Sequence, residues 1–560
     1  MEKIWLDSYE EGVPYEIDVN EYASLNEVFR QGVEQYGPQV AYVNLGKSIT
    51  FDELDEKSRN LAAYLTQDAG LKKGDRVAVM MPNLLQYPIT LFALLRAGLI
   101  VVNTNPLYTE RELHHQLNDS GATAIVILEN FAHTLASVID ETPIKTVITT
   151  RIGDCFSFPK SMIINLVVKY VKKMVPAFQL PIAIPFKRAL ETGASHDFQD
   201  VETSHEDIAF LQYTGGTTGV AKGAMLTHRN MIANLLQASA WAARDFELGK
   251  EIFVTALPLY HIFSLTAGAM FAMKIGAKTL LITNPRDLPT FIKELKTEPF
   301  SFITGVNTLF NALLNTPGFK ELNFSSLKLT LGGGMAVTQA VAKEWQKTTG
   351  VTLVEAYGLT ETSPAAVINP VKLKEYNGMI GLPISSTEVS IRDADGNEVP
   401  LGERGELWIR GPQVMKGYWN RPEETANVFD DIGYLRTGDV AIMNEQGFIK
   451  IVDRLKDMIL VSGFNVYPNE IEDVISSNPK VLEVGAIGIP HEVSGEVVKI
   501  YVVKKDPSLT KEELMECCKE QLTGYKRPKE IEFIDDLPKS NVGKILRREL
   551  RELHEKNSAG

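Results

Sequence analysis

The feature that most constrains the fold is an alternation of short apolar runs with helix-like stretches, which occurs twice along the chain. The first series has strand candidates at residues 77–81, 100–102 and 124–128, and helix candidates at 85–97 and 110–118. The second series follows Thr227 and has strand candidates at 252–257, 279–283, 301–304 and 327–331. Strands that alternate with helices pair in parallel, and the helices cover the faces of the sheet. The sequence therefore predicts an α/β fold with two doubly wound lobes.

The pattern changes beyond Gly381, where short β runs and turn signals replace the alternation. Asp395-Gly396 lies between apolar runs at 388–391 and 405–410, which indicates a tight turn between two strands. Gly447 separates two further runs in the same way. These signals predict a β-rich subdomain after the two lobes.

A charged stretch at residues 453–457 ends the β-rich region, and a small α+β module follows it. The strand candidates of this module are residues 484–489, 499–503 and 530–534. A chain of 560 residues exceeds what one hydrophobic core usually organises. We therefore predict an N-terminal domain of residues 1–455 and a C-terminal domain of residues 456–560.

Composition limits the partners and the compartment. The net charge of -14 argues against a protein that coats nucleic acid, because neutralising phosphates takes a surplus of Lys and Arg. Cys155, Cys517 and Cys518 show neither a disulfide framework nor metal-ligand spacing, which favours a cytoplasmic location. Neither a secretory signal nor a transmembrane helix is expected. The oligomeric state stays open, with a homodimer as one alternative.

Residues 161–190 combine apolar runs with five basic residues, Lys169, Lys172, Lys173, Lys187 and Arg188. A basic amphipathic segment can lie on an anionic membrane surface, which would make the protein peripheral on the inner face of the cell membrane. The competing interpretation is a helix that packs on the core and turns a basic face to solvent.

The strongest local signal is a run of glycines and threonines that ends in a lysine. It follows an apolar run at 208–211 and precedes a helix whose expected N-cap is Thr227. Glycines let backbone N–H groups point inward, hydroxyls add donors and the lysine adds charge, so the run predicts a phosphate-binding loop. The P-loop spacing of NTPase motors does not fit it. The residues concerned are Tyr213, Thr214, Gly215, Gly216, Thr217, Thr218, Gly219, Lys222 and Gly223.

Further motifs follow this loop in a fixed order along the chain. They lie at residues 257–264, 332–334, 355–362, 434–439, 453–457, 462–463 and 538–544. This series resembles the adenylate-forming superfamily, which comprises acyl-CoA synthetases, luciferases and peptide-synthetase adenylation domains. Stretches at residues 283–287, 431–455 and 461–469 make the resemblance closest to bacterial long-chain fatty acid–CoA ligases.

The resemblance implies ATP as co-substrate and assigns roles around the nucleotide. Residues 214–222 would hold the β- and γ-phosphates, and Tyr357 would stack on adenine beside Gly334 and Gly358. Asp439 would accept hydrogen bonds from the ribose hydroxyls, and Arg454 would reach the ribose or its phosphate. In the family the C-terminal domain is mobile, and the β-rich subdomain is a distorted barrel.

The implied catalytic residues are Lys544, Thr360 and Glu361. Lys544 would bridge the substrate carboxylate and the α-phosphate, which otherwise repel each other. Thr360 would hydrogen-bond the α-phosphate, and Glu361 would ligate Mg²⁺. The expected products are an acyl-adenylate with pyrophosphate, and then acyl-CoA with AMP.

The resemblance also implies a second conformation and a fatty-acid pocket. Lys456 would be the hinge about which the C-terminal domain turns, so that Ser462 and Gly463 reach coenzyme A. Lys526 is a further candidate contact to coenzyme A. The acyl pocket candidates are His261, Phe263, Val306 and Gly332.

Three alternatives remain at the level of the sequence. The chain could load a free carrier protein instead of coenzyme A, or it could activate aromatic acids. It could also be a membrane-associated lipid-binding protein without turnover. The joint presence of Glu361, Lys544 and the phosphate loop argues against the last alternative, because a pure binder does not require them together.

Overall fold

A computed structural model describes residues 2–214 and 221–558 of the chain. The first lobe is built on a sheet in which all neighbouring strands are parallel except the last pair. Its strands are, in spatial order, Ala183–Pro185, Thr146–Thr150, Ala124–Leu128, Arg76–Met80, Ile100–Asn103, Ile208–Thr214 and Lys222–Thr227. Every residue of Ala124–Leu128 is buried, because helices cover both faces of a parallel sheet. The helices of this lobe include Phe51–Ala63, Gln86–Arg96, Glu110–Ser120, Ala132–Ala136 and Phe186–Gly193.

The second lobe is built on a larger sheet with a parallel centre and antiparallel edges. Its strands are, in spatial order, Leu382–Pro383, Ala365–Ile368, Leu353–Gly358, Leu329–Gly333, Phe302–Gly305, Ile252–Thr255, Lys278–Leu281, Val40–Asn44 and Lys47–Thr50. Its helices include Leu25–Tyr36, His228–Ala242, Ala272–Ile275, Leu288–Leu295, Asn307–Leu314 and Gln339–Thr349. The prediction of two doubly wound lobes is confirmed.

Local capping sets where several helices begin. Thr227 accepts a hydrogen bond from the backbone N–H of Asn230, whose side chain in turn accepts from the backbone of Thr227. This reciprocal pair satisfies donors that the first helical turn leaves free. The predicted N-cap at Thr227 is therefore confirmed. The sequence interpretation missed the strand Lys222–Thr227, which stands between the phosphate loop and the helix.

The β-rich subdomain is an antiparallel sheet of the strands Glu388–Arg392, Gly405–Arg410, Leu435–Met443 and Ile449–Arg454. The helix Pro422–Val428 lies in the connection between its two central strands. The turn at Asp395-Gly396 exists, with Gly396 at φ +85°, but it lies inside a longer connection instead of joining the two strands directly. The Asp393 carboxylate accepts backbone hydrogen bonds from Asp395 and Asn397, which holds this turn.

The C-terminal module has its own mixed sheet and its own core. Its strands are Ile459–Val461, Phe464–Val466, Val481–His491, Gly495–Lys504 and Glu530–Phe533, and its helices are Pro468–Ser476, Lys511–Gln521 and Arg547–Ser558. The last strand of the β-rich subdomain ends at Arg454, and a turn at 455–457 leads to the first strand of the module. The proposed boundary at Lys456 lies in this turn.

Residues 158–174 form an exposed apolar surface, which we call the basic apolar segment. The helix Lys160–Leu166 and a π-helical turn, Val167–Val171, contribute only Ser161 to the interior. Tyr170 is 66% exposed and Val171 is 73% exposed. The interpretation of residues 161–190 as a helix packed on the core is therefore wrong for the first half, while the helix Phe186–Gly193 does pack on the core with Lys187 and Arg188 exposed. The later residues Leu180, Phe186 and Ala189 are buried, so only the first half of residues 161–190 faces outward. In the described part of the chain, helices long and apolar enough to span a bilayer are absent.

Candidate active site

A cavity of about 2910 Å³ lies where the two lobes, the β-rich subdomain and the C-terminal module meet. It is lined by most of the described residues that the sequence motifs single out. These are Tyr213, Thr214, Lys222, His261, Phe263, Gly334, Tyr357, Gly358, Thr360, Glu361, Asp439, Arg454, Lys456 and Lys544. Gly215, Gly216, Thr217, Thr218 and Gly219 lie outside the described residues. Long-range folding thus brings seven separate motifs to one space.

Lys544 enters this cavity from a turn of the C-terminal module. The backbone N–H of Ser540 donates to the Lys544 carbonyl oxygen at 2.8 Å, and the backbone N–H of Lys544 donates to the Ser540 hydroxyl oxygen at 3.1 Å. Gly543 adopts φ +84° between them. The hydroxyl of Thr308, on the helix Asn307–Leu314, donates to the Gly543 carbonyl oxygen at 3.0 Å. A Cβ at Gly334 would lie 3.4 Å from Cε of Lys544, so the lysine stem passes close over this glycine. The turn is therefore docked on the second lobe.

The charge state of Lys544 is tuned by its surroundings. Removal from water, together with the nearby Arg454 cation, lowers the pKa of Lys544 to about 8, although Asp439 and Glu361 oppose the shift. At neutral pH the ammonium form still predominates. Such a group can bind two anions and is poorly hydrated before they arrive.

Three motif residues form one hydrogen-bonded set. The Tyr357 hydroxyl donates to Oδ2 of Asp439 at 2.5 Å, and Nε of Arg454 lies 3.2 Å from Oδ1 of the same carboxylate. Asp439 and Arg454 face each other on the paired strands Leu435–Met443 and Ile449–Arg454. Asp439 is buried, and both of its oxygens have partners. This set fixes an acceptor-only carboxylate beside an aromatic ring, which suits a nucleoside.

Glu361 is held in place by a tyrosine that the sequence reasoning missed. The Tyr418 hydroxyl donates to Oε1 of Glu361 at 2.6 Å, and burial raises the pKa of this phenol. Thr360 and Glu361 lie on the 3₁₀ turn Thr360–Thr362, directly after the strand Leu353–Gly358. The hydrogen bond from Tyr418 therefore occupies one carboxylate oxygen of Glu361 and fixes the orientation of the other.

Lys222 lies at the described end of the phosphate loop, opposite acidic and aromatic partners. Its ammonium is paired with Glu424 and lies 5.2 Å from the ring centre of Tyr418. Thr214 and Lys222 face each other on the antiparallel strands that flank the loop. The strands thus fix both ends of residues 214–222 at the cavity wall.

Tyr213 has a different environment from the one expected of a nucleotide ligand. Its hydroxyl donates to Oδ2 of Asp119 at 2.7 Å, and Arg421 pairs with the other oxygen of that carboxylate. A Cβ at Gly223 would lie 3.1 Å from the Tyr213 ring. The phenol therefore braces the strand pair that carries the loop.

Two of the four acyl-pocket candidates line the cavity, and two do not. His261 caps a short helical turn, and burial together with the charge of Lys544 lowers the pKa of the imidazole to about 3, so this ring is neutral. Phe263 packs against Gly333. The assignment of Gly332 to the acyl pocket is corrected, because a Cβ at this position would lie on the opposite face of the strand, toward Leu353. Val306 is a second correction, since it is buried outside the cavity lining and packs against Gly543 of the docked lysine turn.

The coenzyme A candidates lie outside the cavity in this arrangement of domains. Ser462 and Gly463 form the exposed turn between Ile459–Val461 and Phe464–Val466, with φ of +50° and +84°. The ammonium of Lys526 is paired with Glu470 at 2.5 Å, which leaves it less available to a phosphate. Lys456 is exposed in the turn at 455–457, and its pKa is lowered to about 8 by desolvation and by Arg454.

Arg547 joins the C-terminal module to the end of the β-rich subdomain, a contact that the sequence reasoning missed. Its guanidinium lies 3.2 Å from Asp453 and 3.5 Å from Asp457, and 2.8 Å from Glu472 of its own module. It also donates to the side chain of Asn469 at 2.6 Å. Asp453 is fully buried. Arg547 thus bridges the two sides of the turn at 455–457.

The fold and this site define a class of protein. Residues 29–419 match the family of AMP-binding enzymes, and residues 470–544 match the C-terminal domain of AMP-binding enzymes. The chain belongs to this family, which is the adenylate-forming superfamily predicted from the motifs.

Relatives and solved structures agree with this assignment. A long-chain-fatty-acid–CoA ligase of Escherichia coli O6:H1 is 60% identical over 552 residues, which cover 99% of this chain and 98% of the relative. A long-chain-fatty-acid–CoA ligase of Yersinia pestis is 59% identical over 552 residues, which again cover 99% of this chain and 98% of the relative. The solved anthranilate CoA ligase AuaEII, in complex with anthranoyl-AMP, has a TM-score of 0.86 at 22% identity, covering 97% of this chain and 100% of that structure. That last likeness supports the fold alone.

Proposed function

We propose that this chain is an ATP-dependent long-chain fatty acid–CoA ligase that works through an acyl-adenylate. The observation that carries the proposal is the placement of Lys544 in one cavity with Glu361, Asp439 and Arg454, although it comes from a separate module. The high identity to ligases of this name directs the choice of acid.

In the first half-reaction Lys544 stabilises the approach of two anions. Its ammonium would bind the fatty-acid carboxylate on one side and the α-phosphate of ATP on the other. A fixed cation acts here as charge builds on the bridging oxygens, and such a contact is worth roughly 10²–10³ in rate. Thr360 would donate its hydroxyl to the α-phosphate, while Asp439 holds the ribose. Carboxylate attack on the α-phosphorus releases pyrophosphate and leaves acyl-AMP.

The residues present fit Mg²⁺ bound together with ATP. In the described ranges, clusters of three or more His, Cys, Asp or Glu that could hold a metal unaided are absent. Mg²⁺ usually takes one or two protein carboxylates and completes its shell with phosphate oxygens and water. Glu361, oriented by Tyr418, would supply the carboxylate. The ion would neutralise charge on the phosphates.

In the second half-reaction the thiol of coenzyme A attacks the acyl carbonyl and AMP leaves. Ser462 and Gly463 are remote from the cavity in this arrangement, so we propose that the C-terminal module turns about Lys456 to present them. The exposed position of this residue between two sheets supports a hinge role. The three cysteines are free thiols, in keeping with a cytoplasmic site of action.

The function is tested by acid-dependent pyrophosphate release. With ATP, Mg²⁺ and palmitate we expect release that requires the acid, and with coenzyme A added we expect AMP and palmitoyl-CoA in equal amounts. Benzoate replaces palmitate in a parallel reaction, because it tests for an aromatic-acid ligase. Thioester formation on an acyl carrier protein but not on coenzyme A would overturn the choice of acceptor.

We also propose that the basic apolar segment docks on an anionic membrane surface. It exposes Phe158, Met162, Ile163, Leu166, Tyr170, Val171 and Met174. Lys169, Lys172 and Lys173 are exposed in the same segment, so apolar insertion and charge attraction would act together there. Each lysine near an anionic surface contributes about 1 kcal/mol. The fatty acid substrate is itself membrane-soluble, which gives such docking a use.

Changing Lys169, Lys172 and Lys173 to Glu is expected to weaken binding to phosphatidylglycerol-containing vesicles at least tenfold. Turnover on octanoate, a soluble acid, should stay within twofold. Vesicle co-sedimentation and pyrophosphate release measure the two quantities. Val493→Ser removes an apolar side chain that is 87% exposed elsewhere and serves as the control. Unchanged partitioning of the triple variant would refute the membrane proposal.

A further inference from the structure

Two largely apolar stripes of similar length line one part of the catalytic cavity. One stripe lies on the helix His228–Ala242 and consists of Asn234, Ala238, Trp241 and Ala242. Their spacing of four, three and one residues places them on one side of a helix. The other stripe is Leu329, Leu331 and Gly333, which alternate along one face of the strand Leu329–Gly333. All these residues line the cavity, so together they form the walls of a channel.

The polar atoms in these walls are already satisfied. The side-chain amide of Asn234 donates to the Ala365 carbonyl oxygen at 2.7 Å and accepts from the Ala365 backbone N–H at 3.0 Å. The indole N–H of Trp241 donates to the Asn369 carbonyl oxygen at 3.0 Å. Phe271 and Phe302 add aromatic wall. What remains open to the channel is apolar, as an alkyl chain requires.

The direction of the channel follows from the two elements. Gly333 lies beside Phe263 and next to Gly334, under Lys544, so this end opens at the reacting groups. Leu329 lies at the other end of the strand, about 13 Å away at roughly 3.3 Å per residue. Along the helix, Asn234 to Ala242 spans about 12 Å at 1.5 Å per residue. The two walls therefore end together, at Leu329 and Ala242.

A second cavity begins where these walls end. It has a volume of about 370 Å³ and shares Ala242, Leu329 and Val371 with the main cavity. Its remaining lining residues are Asp245, Phe246, Lys328 and Lys372. Asp245, Lys328 and Lys372 are exposed, so this cavity reaches the surface. Lys328 pairs with Glu251 at 2.7 Å, and Lys372 pairs with Asp245 at 3.4 Å. Because these pairs engage the ammonium groups, the alkyl parts of both lysine side chains are available to cover an apolar ligand.

We infer that the acyl channel is open at its far end, and that the cavity at Ala242, Leu329 and Val371 receives the methyl end of long acyl chains. This inference rests on the proposed function, because it assumes a fatty acid whose carboxylate meets Lys544. A medium-length chain ends between the two stripes, whereas a long chain passes them and enters the second cavity. The small side chain of Ala242 keeps the passage open. Ala242 is thereby a determinant of chain length.

The test is a substitution that closes the passage and is read out by chain length. For Ala242→Phe we expect the kcat/KM of pyrophosphate release to fall at least tenfold with palmitate and to stay within twofold with octanoate. Ala240→Phe is the matched control, because Ala240 lies on the opposite side of the same helix and lines neither cavity. Both acids should be used normally by that control.

Val371→Phe narrows the same passage from the loop side and gives a second approach if Ala242→Phe does not fold, as judged by thermal unfolding. The same selective loss of palmitate activity is expected. Equal losses with both acids, or no loss with either, would overturn the inference. If the unmodified protein releases pyrophosphate with neither acid, the proposed function fails instead, and the two failures are thus distinguished.

Discussion

Replacing Lys544 with alanine is expected to lower acyl-adenylate formation by roughly 10²–10³-fold, since the variant loses the cation that we propose lies between the two reacting anions. Thioester formation from preformed acyl-AMP should stay within a few-fold of the unmodified protein. The carboxylate and the phosphate no longer repel each other once the anhydride bond exists, and in the proposed second conformation the lysine turn would leave the cavity. Pyrophosphate release measures the first step, and release of AMP from added palmitoyl-AMP and coenzyme A measures the second.

Lys511→Ala is the control for this experiment. Lys511 is an exposed lysine at the start of the helix Lys511–Gln521 in the same module, remote from the cavity. It should leave both half-reactions unchanged. If Lys544→Ala slowed both half-reactions equally, a mechanism with two domain arrangements would be contradicted, and Lys544 would serve both steps.

Replacing Arg547 with glutamine is expected to destabilise the protein and to impair adenylation selectively. Burial raises the pKa of Asp453 to about 6, and the Arg547 cation opposes that shift. Removing the cation leaves Asp453 and Glu472 without their main partner, and breaking a buried ion pair on one side costs about 3–5 kcal/mol. The module that carries Lys544 also loses its bridge to the β-rich subdomain. We therefore expect a lower melting temperature and at least a tenfold loss in pyrophosphate release.

The neighbouring residue offers a matched control. Arg548 is 65% exposed, and its ion-pair partner among the described residues is Glu552, at 3.4 Å, four residues along the same helix. Exposed pairs of this kind contribute a few tenths of a kcal/mol, about 0.3–0.5, so Arg548→Gln should leave both measurements almost unchanged. If Arg547→Gln reduced adenylation and thioester formation to the same extent, Arg547 would stabilise the fold without favouring the adenylating arrangement.

The motif residues could be predicted because their chemistry is local. A glycine at a φ of +78°, such as Gly334, and a turn such as Ser540–Lys544 are specified by a few neighbouring residues. The order of motifs along the chain then identified the family, and the match at residues 29–419 confirms it. The helix start at Thr227 was predictable for the same reason, since capping involves residues only three apart.

Residues that act across elements could not be found in this way. Tyr418 orients Glu361 from 57 positions away in the chain, and Arg547 reaches Asp453 over 94. Neither has a local pattern that differs from an ordinary core tyrosine or a surface arginine. Tyr213 illustrates the same limit, because its position beside the phosphate loop suggested a nucleotide ligand but gave no sign of the hydrogen bond from its hydroxyl to Asp119.

The acyl pocket shows how a single residue step changes the outcome. Successive side chains of a strand point to opposite faces, so Gly332 and Gly333 belong to different environments. Gly333 faces the cavity beside Phe263, whereas Gly332 faces the core around Leu353. The three consecutive glycines are easily recognised in the sequence, but which of them faces the cavity is decided only by packing.

The sequence by itself determined the α/β class, the order of the motifs and the chemistry that Glu361, Asp439, Arg454 and Lys544 can perform. These follow from local periodicity and from residue type. Only the tertiary structure decided which face of each strand meets the cavity, that the basic apolar segment turns outward, and that a second cavity adjoins the main one at Ala242. These depend on contacts between residues far apart in the chain, and hydrophobic burial selects among such contacts only when the whole domain packs.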